Sequence, residues 1–220
     1  MDFFAEIDAY CERSDPSYWS EPLNAFSNAA FLIAAWVMWR RLGDRGPAPG
    51  RALVGLLAAI GLGSFLFHTY ARAWAAIADV VPIGLFILTY LYAANRHYLA
   101  LPPWAAGLAA AGFLPYAALL GAVFAALPFF AISAPYWPVA VLILLYALAL
   151  RGRSPVTASG LAFGAGLLAV SLLWRSLDLP LCRYWPLGTH FLWHLHNALM
   201  LGWMIEVLRR HKLAEPGAGG

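Results

Sequence analysis

Residues 52–70 read ALVGLLAAIGLGSFLFHTY, a run of nineteen residues in which His68 is the sole ionisable group inside the apolar pattern. An α-helix rises about 1.5 Å per residue, so a run of this length matches the ~30 Å hydrocarbon core of a bilayer. Carried outward in both directions, the same reading finds six more apolar stretches, at 22–40, 74–94, 103–124, 134–150, 156–174 and 187–208. Each is bounded by Arg, Pro or Gly. Composition agrees: the 220 residues are 62% hydrophobic and 11% charged, too few charges to cover a soluble surface. The expected fold is an all-α, seven-transmembrane helix bundle over residues 22–210. An acidic segment, 1–21, precedes it and a tail, 211–220, follows.

Several local features refine this expectation. Pro115 falls inside the fourth stretch and predicts a kink there. Ser159, Gly160, Gly164 and Gly166 suit the sixth to close helix packing. Gly43–Gly50 reads as a flexible loop, and Pro216–Gly220 as a frayed end. The acidic start carries Asp2, Glu6, Asp8, Glu12 and Asp15 where a cleaved signal would be basic and then apolar, so the first span itself is expected to direct insertion. Ten Lys and Arg residues (Arg40, Arg41, Arg45, Arg51, Arg96, Arg151, Arg153, Arg209, Arg210, Lys212) fall on one side of the alternation. Four (Arg13, Arg72, Arg175, Arg183) fall on the other. The positive-inside rule then places the N-terminus outside and the C-terminus in the cytoplasm. The net charge of +3 is dispersed at span ends and gives no nucleic-acid patch.

Ionisable groups inside spans are costly, so each calls for a reason. His190 and His194 are four apart and share one face of the seventh stretch, the spacing by which a helix offers two imidazoles to one metal. His68 ends the second stretch at the same outer depth, so three histidines can converge and leave a fourth zinc position for water. Helix-end histidines snorkelling to the interface are the bland alternative. His196 points off this face as a packing residue, and His97 and His211 read as solvated at the inner boundary. Asp79 lies about one and a half turns into the third stretch and suits a general base. Ser64, one turn before His68, suits an oxyanion donor, or simply a hydroxyl bonded to its own helix. Asp8, Glu12, Asp15 and Glu21 form a group of hard oxygens suited to calcium, or merely an acidic outer segment. Cys11 and Cys182 share the outer side, which permits a disulfide but also two separate thiols.

The combination of Gly63-Ser64-Phe-Leu-Phe-His68, Asp79 eleven residues on, and His190-Phe-Leu-Trp-His194 resembles the alkaline ceramidase family. That family belongs to a superfamily of seven-helix membrane hydrolases that includes the adiponectin receptors. Tyr10-Cys11-Glu12, Glu21-Pro-Leu-Asn24 and the run Trp174, Asp178, Cys182 extend the likeness along most of the chain. The resemblance implies a zinc amidase acting on ceramide-like lipids drawn from the bilayer, with no protein partner. His68, His190 and His194 would be the zinc ligands, Asp79 the proton acceptor and Ser64 the oxyanion donor. It implies a Cys11–Cys182 disulfide, and a calcium site at Glu12 and Glu21 with Asp8, Tyr10 and Ser14 nearby. Ala9 and Ser14 depart from the family's Asp and Asn there. The expected location is a multi-pass membrane protein, in a bacterial inner membrane or a eukaryotic endomembrane, with the site near the non-cytoplasmic face. The alternatives are a zinc receptor of the adiponectin type with little turnover, or a hydrolase of another lipid amide or ester. A retinal protein is excluded because the one lysine, Lys212, lies beyond the last span.

Overall fold

Glycine, proline and asparagine set most of the helix boundaries in the computed structural model, which describes residues 2–43 and 48–214. The first apolar stretch is divided at Asn28 into α1 (Pro22–Ser27) and α2 (Ala29–Leu42). α3 spans Ala48–Tyr70 and α4 Ala73–His97. The fourth stretch is divided at Gly112 into α5 (Pro103–Ala111) and α6 (Phe113–Ala125), so the disturbance expected at Pro115 falls three residues earlier, as a break. A single 3-10 turn at Ala131–Ser133 leads to α7 (Trp137–Leu150), and α8 (Pro155–Leu181) and α9 (His190–Ala214) complete the chain. No strand forms among the described residues; an isolated bridge joins Glu6 to Arg72.

Five helical segments are long and apolar enough to cross a membrane: Pro22–Leu42, Ala48–Tyr70, Ala73–His97, Pro103–Ala125 and Pro155–Leu181. They mark an integral membrane protein, and exposed side chains such as Ile33, Trp36, Leu108, Leu119 and Val156 present an apolar outer surface. α7 is apolar but only 14 residues long. α9 has 25 residues, yet carries four histidines, Asn197, Glu206, two arginines and Lys212. It can be polar because it is the most enclosed element. α9 packs against α1, α2, α3, α4 and α8, while α2–α3–α4–α5 and α6–α7–α8 form the wall around it.

Several expected ends move. α3 begins at Ala48, so the last three residues of the Gly43–Gly50 loop are helix; Pro49 is tolerated because first-turn N–H groups have no intrahelical partner anyway. Residues 44–47 of that loop, with Arg45, lie outside the described residues, as does Pro216–Gly220. α8 runs to Leu181 rather than 174, because Arg175 and Asp178 are satisfied inside the protein instead of ending the helix. α9 starts at His190, after Gly188 turns the chain at φ 65°, and continues to Ala214 into the expected tail. Gly160 and Gly164 do lie against α9: an added Cβ would meet Val207 Cγ2 at 2.8 Å and Met204 Sδ at 2.6 Å. Ser159 and Gly166 instead face outward. His211 is half-buried rather than solvated, bonded to Thr157 Oγ1 at 2.9 Å and to the His97 carbonyl at 3.2 Å.

The N-terminal segment lies on the bundle. Ile7 N donates to Ala71 O at 2.9 Å and Ala73 N to Ala5 O at 3.0 Å, tying the segment to the α3–α4 turn. A disulfide joins Cys11 to Cys182, with Cα atoms 5.4 Å apart.

Candidate metal centre

The last turns of α3 and the first of α9 bring His68, His190 and His194 together, as their spacing predicts. Their ring centroids are 4.6 to 5.1 Å apart, one nitrogen from each lies within 4.8 Å of the others, and the side chains are 1–2% exposed. Two backbone features make this approach possible. At Gly63 a Cβ would collide with the Ala78 carbonyl, its carbon only 2.7 Å away, so glycine lets α3 and α4 touch beside Ser64 and Asp79. Asp178 reaches from α8 and accepts from Thr189 N at 2.7 Å and His190 N at 2.9 Å. It thereby satisfies first-turn donors of α9 that an N-cap would ordinarily serve. Its other oxygen accepts from Cys11 N at 2.9 Å, linking the cap to the disulfide.

The proton positions on two of the rings follow from their partners. His68 Nδ1 lies 2.6 Å from Glu21 Oε2; a carboxylate only accepts, so Nδ1 carries the hydrogen and Nε2 keeps its lone pair. Ser27 Oγ donates its one hydrogen to Asn24 O at 2.8 Å, so it accepts from His194 Nδ1 at 2.7 Å. His194 Nε2 is then also left with its lone pair. Metal-ligating histidines characteristically give their second N–H to such a partner. His68 Nε2 and His190 Nδ1 are buried without any hydrogen-bond partner, a cost a bound cation or its water relieves. Three neutral imidazoles with an open fourth position are the donor set of a catalytic zinc, and these residues fit it.

Ser64 stands between the histidines and Asp79. Its hydroxyl is 3.5 Å from His194 Nε2 and hydrogen-bonds the Asp79 carboxylate. The converging ligand atoms belong to the three histidines alone, so Asp79 lies beside the set rather than within it. His196 turns away, its Nδ1 2.9 Å from Leu192 O, in keeping with a packing role.

The residues expected to hold calcium make the following contacts. Both Glu12 oxygens accept backbone donors, Leu23 N at 2.7 Å and Asn24 N at 2.8 Å, and so cap α1. Glu21 is held by Arg13 Nε at 2.6 Å and Asn24 Nδ2 at 3.1 Å as well as by His68. Asp8 is exposed, and Ser14 N and Asp15 N both donate to Ser20 Oγ. Tyr10 belongs to the histidines, stacked on His190 at 3.6 Å between centroids. Arg13 brings a positive charge among them: its guanidinium donates to Glu21, to the carbonyls of Asp15 (3.1 Å) and Ser17 (3.4 Å), and to His68 O at 3.2 Å.

Four participants had not been singled out from the sequence. They are Arg13, Ser27, Tyr10 as a ring partner, and Arg175, whose guanidinium lies over the Tyr136 and Trp193 rings and reaches Tyr10 Oη at 3.5 Å. A lone arginine within an acidic segment was the available signal for the first. No protein-family model matches the chain, and no curated protein matches it by sequence.

Proposed function

We propose that this protein is a membrane-embedded, zinc-dependent hydrolase that cleaves the N-acyl bond of ceramide-like lipids, releasing sphingoid base and fatty acid. The observation that carries the reading is the set of three buried imidazoles with Nε2 of His68 and His194 held free by partners on Nδ1, beside a carboxylate outside the set. A structural histidine cluster has no need of that combination. The resemblance of the Ser64–His68, Asp79 and His190–His194 motifs to alkaline ceramidases supplies the substrate class.

In this reading α7 and α9 complete seven spans with the five apolar segments above, and the ten-to-four distribution of Lys and Arg supports a site near the non-cytoplasmic face. His68, His190 and His194 would hold the zinc, which would supply an activated water and polarise the amide carbonyl. Asp79 takes the water proton and returns it to the departing nitrogen, so the carbon–nitrogen bond breaks to an amine and a carboxylic acid. Ser64, freed from Asp79 once that carboxylate is protonated, donates to the oxygen on which charge develops. Glu21 and Ser27 hold two of the rings in the tautomer the metal requires. Tyr10 covers His190 against water from the outer side.

The test is turnover of a panel of ceramide, other N-acyl amides and lipid esters of matched chain length, with released fatty acid measured. Ceramide cleavage that disappears on zinc chelation and returns with added zinc is expected. Ester or other amide turnover without ceramide turnover would move the substrate class while keeping the metal. Bound zinc with no turnover of any lipid would favour a receptor of the adiponectin type.

A further inference from the structure

A groove of about 430 Å³ runs between α2 and α9 on the membrane-facing side of the bundle. Its floor is made of small residues, Ala30 and Ala34 on one helix and Ala198 and Gly202 on the other. An added Cβ at Gly202 would reach Ala34 Cβ at 3.5 Å, so the depth of the groove depends on these side chains staying small. Ile33 and Leu199 form exposed apolar walls. From Ala30 to Arg41 the helix rises about 17 Å, close to the depth of one bilayer leaflet.

The end of the groove is charged in an unusual way. Glu206 is buried there, and three guanidinium groups converge on it: Arg209 Nε and Arg210 Nε at 2.8 Å and Arg41 NH1 at 3.4 Å. Arg41 and Glu206 line the groove itself. Three arginines against one carboxylate leave a formal excess of two positive charges (3 − 1 = +2). The side chains of Arg41 and Arg210 remain 53% and 52% exposed, so most of their donors point away from Glu206. The carboxylate acts as a buried clamp that holds mutually repelling cations in fixed positions at the edge of an apolar channel.

We propose that this groove binds an anionic membrane phospholipid, with one acyl chain along the Ala30–Gly202 floor and its phosphate against Arg41 and Arg210. The shape takes a chain one leaflet long, and the excess positive charge takes an anionic head rather than a zwitterionic one. The site is separate from the histidine cluster, and the inference stands whether or not the protein is a hydrolase. Ala30 lies one turn beyond Ser27 and Leu195 follows His194, so a chain in the groove packs the seam across which Ser27 meets His194.

The experiment compares the thermal stability of the detergent-purified full chain on titration with phosphatidylglycerol, phosphatidylcholine of the same acyl chains, and inorganic phosphate. A saturable rise in Tm with phosphatidylglycerol alone, of several degrees, is expected. Arg41→Gln leaves Glu206 paired with Arg209 and Arg210, and should weaken the half-saturating concentration severalfold. Ala34→Leu fills the floor without touching the charges and should abolish the shift. Equal shifts with both lipids, a shift with phosphate alone, or an undiminished shift in both variants would overturn the proposal. So would a stable dimer in which a second copy covers the groove and no lipid shifts Tm.

Discussion

Glu21 Oε2 lies 2.6 Å from His68 Nδ1, and Glu21 Oε1 lies 2.6 Å from Arg13 Nε, so one buried carboxylate joins a candidate metal ligand to the N-terminal segment. The consequence is that a residue outside the spans sets the tautomer of a residue inside them. Glu21→Gln keeps the shape but removes the anion, and should weaken zinc affinity about 10- to 100-fold. Competition against a chelator of known affinity measures this; an unchanged affinity would make Glu21 a packing residue only.

The same carboxylate makes stability depend on pH. Burial pushes the Glu21 carboxyl up, but the hydrogen bonds from His68, Asn24 and Arg13 outweigh it and hold it below its ordinary value of 4.5. A group whose folded value is depressed contributes stability above its unfolded value and loses it as pH falls through the folded value. Unfolding of the wild type should therefore become easier as pH drops below about 4.5, with Glu21→Gln flatter across that window. Parallel pH profiles would refute this.

Arg13 stands among the oxygens where the family resemblance places calcium, and its removal leaves Glu21 buried with one cation fewer. Arg13→Ala should cost about 3–5 kcal/mol, the usual penalty for breaking a buried pair from one side. The wild type should be indifferent to a calcium-selective chelator in both stability and turnover. Sensitivity to that chelator, reversed by calcium, would show a cation site at these residues.

Asp79 lies beside the ligand set and is bonded to Ser64. Asp79→Asn should retain zinc while turnover falls by about 10²- to 10⁴-fold, the range for loss of a positioned acid–base group. Ser64→Ala should keep the metal too, with a smaller loss. If Asp79→Asn releases zinc, the carboxylate is structural and the proton acceptor lies elsewhere.

The Cys11–Cys182 bond closes a loop 171 residues apart in sequence, and Cys11 N also bonds the Asp178 that caps α9. Reduction should lower Tm and speed zinc release together, since the cap precedes His190 directly. A typical disulfide contributes about 2–4 kcal/mol. A reduced protein with unchanged zinc retention would separate the disulfide from the site.

Much of the centre was legible because its signals are local or paired. Four-residue spacing put His190 and His194 on one face, matching depth brought in His68, and a carboxylate inside a span pointed to Asp79. The helix breaks were half legible: Pro115 announced the interruption at Gly112, since a proline leaves the carbonyl four residues before it unbonded and crowded, whereas nothing announced the division at Asn28. Arg175 and Asp178 misled, because unpaired charges are costly in lipid and so read as a helix end. Their partners, Tyr10, Ile132 and the start of α9, lie far away in sequence, where no periodicity reports them. Arg13 was hidden for the same reason, its contact with His68 O being 55 residues distant.

The central claim is the metal, and elemental analysis of the detergent-purified protein tests it most directly. One zinc per chain is expected in the wild type, with loss of that zinc in His68→Ala, His190→Ala and His194→Ala variants that remain folded. Protein without zinc, zinc retained in those three variants, or stoichiometric iron in its place would contradict the account.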